Sequence, residues 1–365
     1  MRSMKAFAKK MVLLCLFPLA WLQRRSECRR GPIVLTYHRV QSARISGDPL
    51  TVSAEVFAKQ IEFLAKHYCV VSIDTVVRAI QGTQSLPDRA VLITFDDGWG
   101  DNYEVAFPVL RRLNVPALIF LSTALIGTAA QFWWEILSAA LMDEGSDWEI
   151  HFPAADLELP DSIRMQIDEI LRTPVPTRNG KVSRLIESVK VLDSRSHAAV
   201  MSLVKVRSDG SARARRPVAL SWEQVKEMSS SGIAFGSHGH THRLLTTLTD
   251  EELGLELRSS KSIIEAHLNK VVDAIAYPNG NFDCRIAKMA GSEGYVVGFT
   301  CLSGPNNDDV DPLELRRIHV HEDASLGFAG RFSSLFFSVE LFEVRQTVSR
   351  FLQRLGRSIR NRSVH

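Results

Sequence analysis

The chain of 365 residues carries 44 Lys and Arg against 41 Asp and Glu, and 45% of its residues are hydrophobic. This balance is ordinary for a globular protein with a sizeable core, and a net charge of +3 favours no particular partner. The five cysteines are scattered and form no CxxC pair, which argues against a disulfide framework or a cysteine zinc site and favours a reducing compartment.

The N-terminal segment is basic and partly apolar. Residues 1–30 contain eight Lys or Arg and a single acid, Glu27, and an apolar run occupies residues 11–22. The run is too short to span a bilayer comfortably, and no small-x-small cleavage site follows it. We therefore expect an uncleaved helix over 1–30, and a protein that is cytoplasmic or peripherally attached to a membrane. A signal anchor at the cell envelope is the alternative.

Apolar, β-branched runs alternate with helical patterns along the rest of the chain. The runs lie at residues 32–40, 68–73, 90–98, 116–121, 232–239, 273–280, 295–304 and 315–320. Helices are predicted over residues 53–67, 102–113, 221–232 and 249–268. This order predicts βα units around a parallel sheet, and seven or eight strands indicate an α/β barrel.

Two segments break this rhythm. Residues 127–216 follow the fourth predicted strand and contain an acidic stretch, a helical pattern and a basic SARARR run, which together predict a helical insertion acting as a lid or cap. The main domain is therefore expected over 31–325, with the insertion inside it. From 326 to 365 we expect a basic, amphipathic helical region, and both basic ends could contact an anionic membrane surface.

Polar residues follow the predicted strands at their carboxyl ends, where the chemistry of a βα barrel is found. These residues are Tyr37 and His38, Asp96 and Asp97, His238 to His242, Tyr277 to Gly280, and Arg317 to His321. An Asp pair alone is more often a turn or a helix cap, and a run of alternating histidines alone is often a surface tract. Together on the strand ends of one array they favour a functional site.

His238 and His242 are four residues apart, a spacing at which two imidazoles can bind one divalent ion. Two histidines and one carboxylate form a metal site with open positions for water and substrate. The adjacent Asp96 and Asp97 can supply the third ligand and a base, because the cation neutralises one of the two charges.

TFDDG at 94–98, SHGHTH at 237–242, YPNG at 277–280 and LTYHRV at 35–40 resemble motifs of the polysaccharide deacetylases, carbohydrate esterase family 4 with the NodB homology domain. The resemblance runs from about residue 32 to 325 and implies a distorted (β/α) barrel of seven or eight strands. It implies metal-dependent hydrolysis of N-acetyl groups on a polysaccharide, an oligosaccharide or a glycan precursor.

The resemblance also assigns roles to residues. Asp97, His238 and His242 would hold the metal, and Asp96 would be the general base. The oxyanion would be stabilised by the metal and by a backbone N–H near Tyr277, Pro278 and Asn279. Zinc is the expected metal, and cobalt, nickel or manganese would fit the same ligands.

The family pattern weakens at two places. No clean Leu-x-His motif is present, so the general acid is expected at His319, with His38 and then His321 as competitors. Ala276 stands where many relatives carry an Arg that orients the base. Because Arg317 shares a strand face with His319, we predict that it pairs with Asp96; a surface salt bridge is the alternative.

Three further questions stay open at this level. Trp133 and Trp134 could form a substrate wall, although a core anchor for the insertion is favoured. The alternatives to the deacetylase are an amide hydrolase of another substrate and a degenerate glycan-binding protein. No basic stripe or motif supports nucleic-acid binding.

Overall fold

The computed structural model describes residues 31–44, 48–142, 148–152, 159–206 and 218–341, with the single positions Met11, Cys15 and Pro18. The strands are β1 Ile33–Tyr37, β2 Arg39–Gln41, β3 Thr51–Ser53, β4 Cys69–Val70, β5 Ala90–Phe95, β6 Ala117–Leu121, β7 Trp148–Ile150, β8 Val204–Val206, β9 Ile233–Ser237, β10 Ala274–Ala276, β11 Val297–Phe299 and β12 Ile318–His319. The helices are α1 Ala54–His67, α2 Ile73–Ile80, α3 Phe107–Arg112, α4 Trp133–Met142, α5 Asp161–Leu171, α6 Asn179–Lys190, α7 Ser194–Ser202, α8 Trp222–Ser230, α9 Asp250–Leu268, α10 Cys284–Ser292, α11 Glu322–Ser325 and α12 Ser334–Leu341.

The central sheet is parallel and runs in the order β11-β10-β9-β6-β5-β1-β12, with β4 as an eighth strand beside β5. Its strands β1, β5 and β6 are buried along their whole length, as expected when helices cover the outer face and side chains fill the inner one. The sheet curls into a half-barrel with helices around it, which confirms the predicted α/β barrel class.

Strands β4 and β6 pair with different parts of β5. β4 pairs with Ala90 and Val91 at the start of β5, and β6 pairs with Thr94 and Phe95 at its end. Of the predicted strand 68–73, only Cys69 and Val70 pair with β5, so β4 is two residues long.

The segment before β12 joins the two ends of the sheet. The N–H of Thr300 donates to the carbonyl of Leu315 at 2.8 Å, and Ile318 pairs with Leu35 of β1. Because this segment changes partner from β11 to β1, the predicted strand 315–320 reduces to Ile318–His319.

One predicted helix has the start and end that its sequence indicates, and another begins differently. α9 begins at a capping box of Thr249 and Glu252 and ends at Asn269, whose φ of 50° is left-handed. The helix predicted over 102–113 instead starts as a π-helical turn, Asn102–Ala106, and continues as α3. Pro108 lacks an N–H and cannot complete a regular α-helical ladder at this junction.

The insertion follows β6 and has an apolar core of its own. α4, α5, α6 and α7 pack around buried side chains that include Leu137, Ile167 and Leu185. The prediction of a helical insertion omitted a two-stranded antiparallel ribbon, in which Trp148 of β7 pairs with Val206 of β8. Three-residue strands so far apart in sequence leave no periodic signal, so only tertiary packing reveals them.

The C-terminal segment differs from the single helix predicted from residue 326. Leu326 forms an antiparallel bridge with Phe332, and α12 begins only at Ser334. Phe337 of this helix is buried and its ring lies 5.6 Å from that of Phe63. The predicted basic tail beyond Leu341 and the N-terminal helix over 1–30 lie outside the described residues, apart from the three single positions. No described helix combines the length and the apolar character needed to cross a bilayer.

Candidate active site

Polar side chains from four parallel strands meet in one cleft at the carboxyl edge of the sheet. The cleft has a volume of about 330 Å³. His38 follows β1, Asp96 and Asp97 follow β5, His238 follows β9, and His319 ends β12. All of the strand-end histidines and carboxylates named here line it, together with His242 and Asn279.

Three of these side chains form a compact donor set. Oδ1 of Asp97 lies 3.4 Å from Nε2 of His238 and 3.1 Å from Nε2 of His242. The three ligand atoms all lie within 4.8 Å of one another. An oxygen and two imidazole nitrogens at this spacing fit zinc or a similar divalent ion.

Several residues at this donor set have a left-handed backbone conformation, which residues with a Cβ rarely adopt. Asp97 has a φ of 76° and His242 a φ of 58°, both in the left-handed region. Gly98 has a φ of 73°, and a Cβ there would lie 2.8 Å from a methyl carbon of Leu121. Such backbone outliers concentrate where the surrounding structure fixes a functional geometry.

Neighbouring groups orient two of the donors. Nδ1 of His238 lies 2.7 Å from the carbonyl oxygen of Ala276, which can only accept, so this nitrogen carries a proton and Nε2 is the atom turned toward Asp97. The indole N–H of Trp99 donates to Oδ2 of Asp97 at 2.8 Å, which leaves Oδ1 facing the histidines.

A buried carboxylate holds the loop between the two histidines. Glu256 of α9 accepts from the N–H of His240 at 2.6 Å and from the N–H of Thr241 at 2.9 Å, and it also accepts from the Thr241 hydroxyl. The sequence analysis missed Glu256 and Trp99. Glu256 did leave a signal, since it lies three residues after Leu253 and four before Ser260 on the buried face of α9.

The ion pair predicted between Arg317 and Asp96 is present in the structure. The guanidinium donates to Oδ1 of Asp96 at 2.7 Å and to Oδ2 at 2.8 Å, and its Nε donates to the carbonyl of Thr300 at 2.9 Å. Arg317 is 0% exposed. The surface salt bridge considered for Arg317 is therefore wrong.

These contacts set the charge of both aspartates. Burial alone would raise the pKa of Asp96, but the charge of Arg317, with His238 and His38, outweighs burial and lowers the pKa to about 2. Burial also opposes ionisation of Asp97, yet hydrogen bonds from His238 and His242 hold its pKa well below the usual value. Asp96 and Asp97 are therefore both anionic at neutral pH.

The three candidate acids occupy different positions. Nε2 of His38 lies 3.9 Å from Oδ2 of Asp96, and its ring stacks on that of His319 at 5.8 Å. Burial, then the charges of Arg317 and His38, lowers the pKa of His319 to about 3. His321 lies farther along, where its Nδ1 is 3.0 Å from the carbonyl of Pro49.

The residues expected around the oxyanion differ in what they can donate. The N–H of Tyr277 donates to the carbonyl of Phe299 at 3.0 Å, and the Tyr277 hydroxyl donates to Leu313. Pro278 has no N–H, so Asn279 offers the backbone donor among these three residues. Asn279 lines the cleft and has a φ of 57°.

The start of the insertion forms one wall of the cleft. The ring of Trp134 lies 4.7 Å from that of His242, and Phe132 lies 5.7 Å from it. Trp133 lines the cleft and also packs against the core of the insertion. Both tryptophans therefore line the cleft, as a substrate wall would, and Trp133 also anchors the insertion.

The comparisons with known proteins agree with this geometry. The sequence profile of the family described as polysaccharide deacetylase matches residues 83–152 and 180–298, just over half of the chain. YxkH of Bacillus subtilis (strain 168) is 22% identical over 302 residues, which cover 82% of this chain and 75% of that protein.

One further match covers a short segment of the chain, and another is a similarity of fold to a solved structure. The poly-beta-1,6-N-acetyl-D-glucosamine N-deacetylase of Escherichia coli (strain K12) is 30% identical over 89 residues, 24% of this chain and 13% of that protein. The Streptococcus pyogenes deacetylase PplD, solved in complex with acetate, superposes with a TM-score of 0.53 at 20% identity, covering 80% of this chain and 93% of that one. The family profile confirms the resemblance seen in the motifs, and the chain belongs to the polysaccharide deacetylase family, hydrolases that act on carbon–nitrogen bonds other than peptide bonds.

Proposed function

We propose that this protein removes N-acetyl groups from the sugar residues of a polysaccharide, with a divalent metal ion, zinc first among the candidates. The observation that carries the proposal is the convergence of Asp97, His238 and His242 in one cleft, beside a second carboxylate, Asp96, that is held by Arg317. Family membership supports the reaction class.

Asp97, His238 and His242 would hold the ion, which when bound lowers the pKa of water and polarises the acetyl carbonyl. The donor set fits this role, since the hydrogen bonds from Trp99 and to Ala276 already turn the ligand atoms of Asp97 and His238 inward. No rearrangement of these two side chains is needed to form the site.

Asp96 would accept the proton from the attacking water. Its low pKa, due to Arg317, keeps it ionised, and the bidentate contact fixes the plane of the carboxylate. Arg317 would act as a positioning residue, since it contacts Asp96 and the backbone of Thr300.

His38 is the better supported acid for the departing amine. Burial, with the charges of Arg317 and His238, lowers the pKa of His38, and the charges of Asp96 and Asp97 oppose this shift. Its Nε2 lies 3.9 Å from Oδ2 of Asp96, within the cleft. Arg317 and His38 lower the pKa of His319 in addition to burial, so His319 is neutral near pH 7. The N–H of Asn279 would donate to the acetyl oxygen as it gains charge.

The substrate we propose is a polymer that contains N-acetylglucosamine. The match to the Escherichia coli enzyme supports this choice, although it extends over only 24% of this chain. A cleft of about 330 Å³ with aromatic walls suits a sugar ring that carries an acetamido group.

The test is acetate release from poly-β-1,6-N-acetylglucosamine and from chitin oligomers, with metal content measured in parallel. We expect activity that a chelator removes and zinc restores, and that Asp96→Asn loses while it still binds zinc. Bound zinc without acetate release from either polymer would indicate another amide substrate. Absence of both zinc binding and turnover would contradict the proposal and favour a glycan-binding protein.

A further inference from the structure

The cleft extends from the metal donors to side chains of the insertion. Trp133 of α4, Ile186 and Lys190 of α6, and His197 of α7 line this part, and Arg243 faces it from the loop after β9. Arg243 directly follows the donor His242 in the chain. This part of the cleft therefore adjoins the acetylated sugar but lies outside the donor set.

Two polar atoms in this region lack the partners that buried groups normally have. Among the described residues, three buried side-chain nitrogen or oxygen atoms form no hydrogen bond, and two of them are Nε2 of His197 and Nε of Arg243. Both residues line the cleft, and His197 is 9% exposed. Buried polar atoms are almost always satisfied, so two unpaired atoms on residues that line one cleft point to a polar ligand group bound beside them.

The charge of Arg243 is also not balanced by its contacts. Its guanidinium donates to the carbonyl of Leu192 at 3.0 Å and to the Thr247 hydroxyl at 3.4 Å, both neutral acceptors. The other cation of this region, Lys190, is paired with Glu187 at 2.6 Å.

The acids nearest to Arg243 are engaged elsewhere. Glu252 caps α9 through Thr249, Glu256 holds the loop of the metal donors, and Asp193 caps α7. They act on Arg243 through space. A guanidinium with a free buried N–H and no close carboxylate is suited to an anionic oxygen.

We propose that Arg243 and His197 form a subsite for an anionic group, a carboxylate or a phosphate, on the glycan next to the acetylated sugar. The inference builds on the proposed function and adds the class of polymer: an acidic N-acetylated glycan is preferred to a neutral one. Arg243 supplies the charge, and neutral His197 supplies a donor at Nε2. The Trp133 ring, 5.0 Å from that of His197, supports the adjoining sugar face.

The test is calorimetric binding to metal-free protein, so that it does not depend on turnover. The probes are a hyaluronan tetrasaccharide for the carboxylate, N-acetylglucosamine 1-phosphate for the phosphate, and chitotetraose as the neutral reference. We expect at least one anionic probe to bind about 10-fold more tightly than chitotetraose, and the preference to shrink at high salt.

Variants separate the subsite from a structural role. Arg243→Gln should remove the preference for an anionic probe over chitotetraose, and Arg243→Lys should keep part of it. Arg184→Gln, at an exposed position of the insertion, is the matched control and should keep it all.

Binding of only the tetrasaccharide would identify a uronate, and binding of only the sugar phosphate would identify a phosphate. Equal affinity for all three probes, or a preference that survives in Arg243→Gln, would overturn the subsite. Acetate release from a neutral polymer fails or succeeds independently of this result, so the two proposals are tested separately.

Discussion

Asp96 is 2% exposed and still carries a charge, because both of its oxygens accept from Arg317. Removing one partner from such a pair leaves an uncompensated buried charge, which costs more than the pair itself contributes. The chemistry and the stability of the cleft therefore depend on the same contact.

Arg317→Met should raise the pKa of Asp96, because burial then acts without the opposing guanidinium. We expect the acid limb of the kcat/KM profile to move to higher pH, and the free energy of unfolding to fall by roughly 3–5 kcal/mol. Arg317→Lys keeps the positive charge but loses the two-point contact of the guanidinium, so its effects on the pH profile and on stability should be smaller. Rate profiles against pH and urea unfolding measure both; a profile and a stability equal to those of the wild type would show that Arg317 does not position Asp96.

His38 and His319 stack on each other, and kinetics can separate their roles. His38→Gln should lower kcat at pH 7 by about 100-fold or more, within the range of general acid catalysis. His319→Gln should lower kcat by less than about 10-fold, because a histidine whose pKa is lowered to about 3 is neutral at pH 7 and a poor acid. The opposite order of losses, at unchanged zinc content, would assign the acid to His319.

At the scale of elements, α9 supports the proposed metal site without contributing a ligand. Its Glu256 accepts from two backbone N–H groups in the loop that links His238 to His242. Since His242 has a left-handed φ of 58°, this loop needs such external support. The position of the proposed metal donors therefore depends on the packing of α9.

Glu256→Gln should weaken zinc binding by about 10-fold to 100-fold, because an amide replaces one of the accepting oxygens. Competition with a chromogenic chelator measures the affinity directly. Glu251→Gln, at an exposed position in the first turn of the same helix, is the control and should bind zinc as the wild type does. Equal affinities for the two variants would mean that the loop holds its geometry without Glu256.

At the scale of the whole molecule, burial of neutral histidines couples folding to pH. Burial, then the charge of Arg243, lowers the pKa of His197 to about 4, and burial lowers that of His319 to about 3. The unfolded chain binds these protons at a pKa near 6.5, so it holds more protons than the native state at acid pH. The resulting stability is complete above about pH 6.5 and is lost as the pH falls toward these lower values.

Urea unfolding of the metal-free protein should therefore show a midpoint that falls between about pH 6.5 and pH 4. His319→Gln removes one of these groups and should flatten the dependence without changing the slope of the unfolding free energy against urea. A pH dependence as steep as that of the wild type would show that His319 is already protonated in the folded protein.

Much of the fold and of the donor set was predictable from local pattern. Buried strands read as apolar runs, and α1 and α9 follow from their caps and apolar stripes. His238 and His242 were singled out by their spacing and, with the Asp pair, by their place at strand ends that meet at one edge. The family resemblance then assigned Asp97 as the third ligand. Alternation along residues 315–320 placed Arg317 on the inner face and predicted its contact with Asp96.

The sequence by itself determined the βα order, the motif residues and the edge of the sheet at which they gather, because periodicity and strand polarity are local properties. Tertiary structure decided which histidine lies nearest Asp96, how Glu256 reaches the donor loop, and how the insertion brings His197 to Arg243 above the cleft. It also decided the β7–β8 ribbon and the late start of α12. These features depend on contacts between distant segments, which are selected by shape, burial and charge and leave no period in the chain.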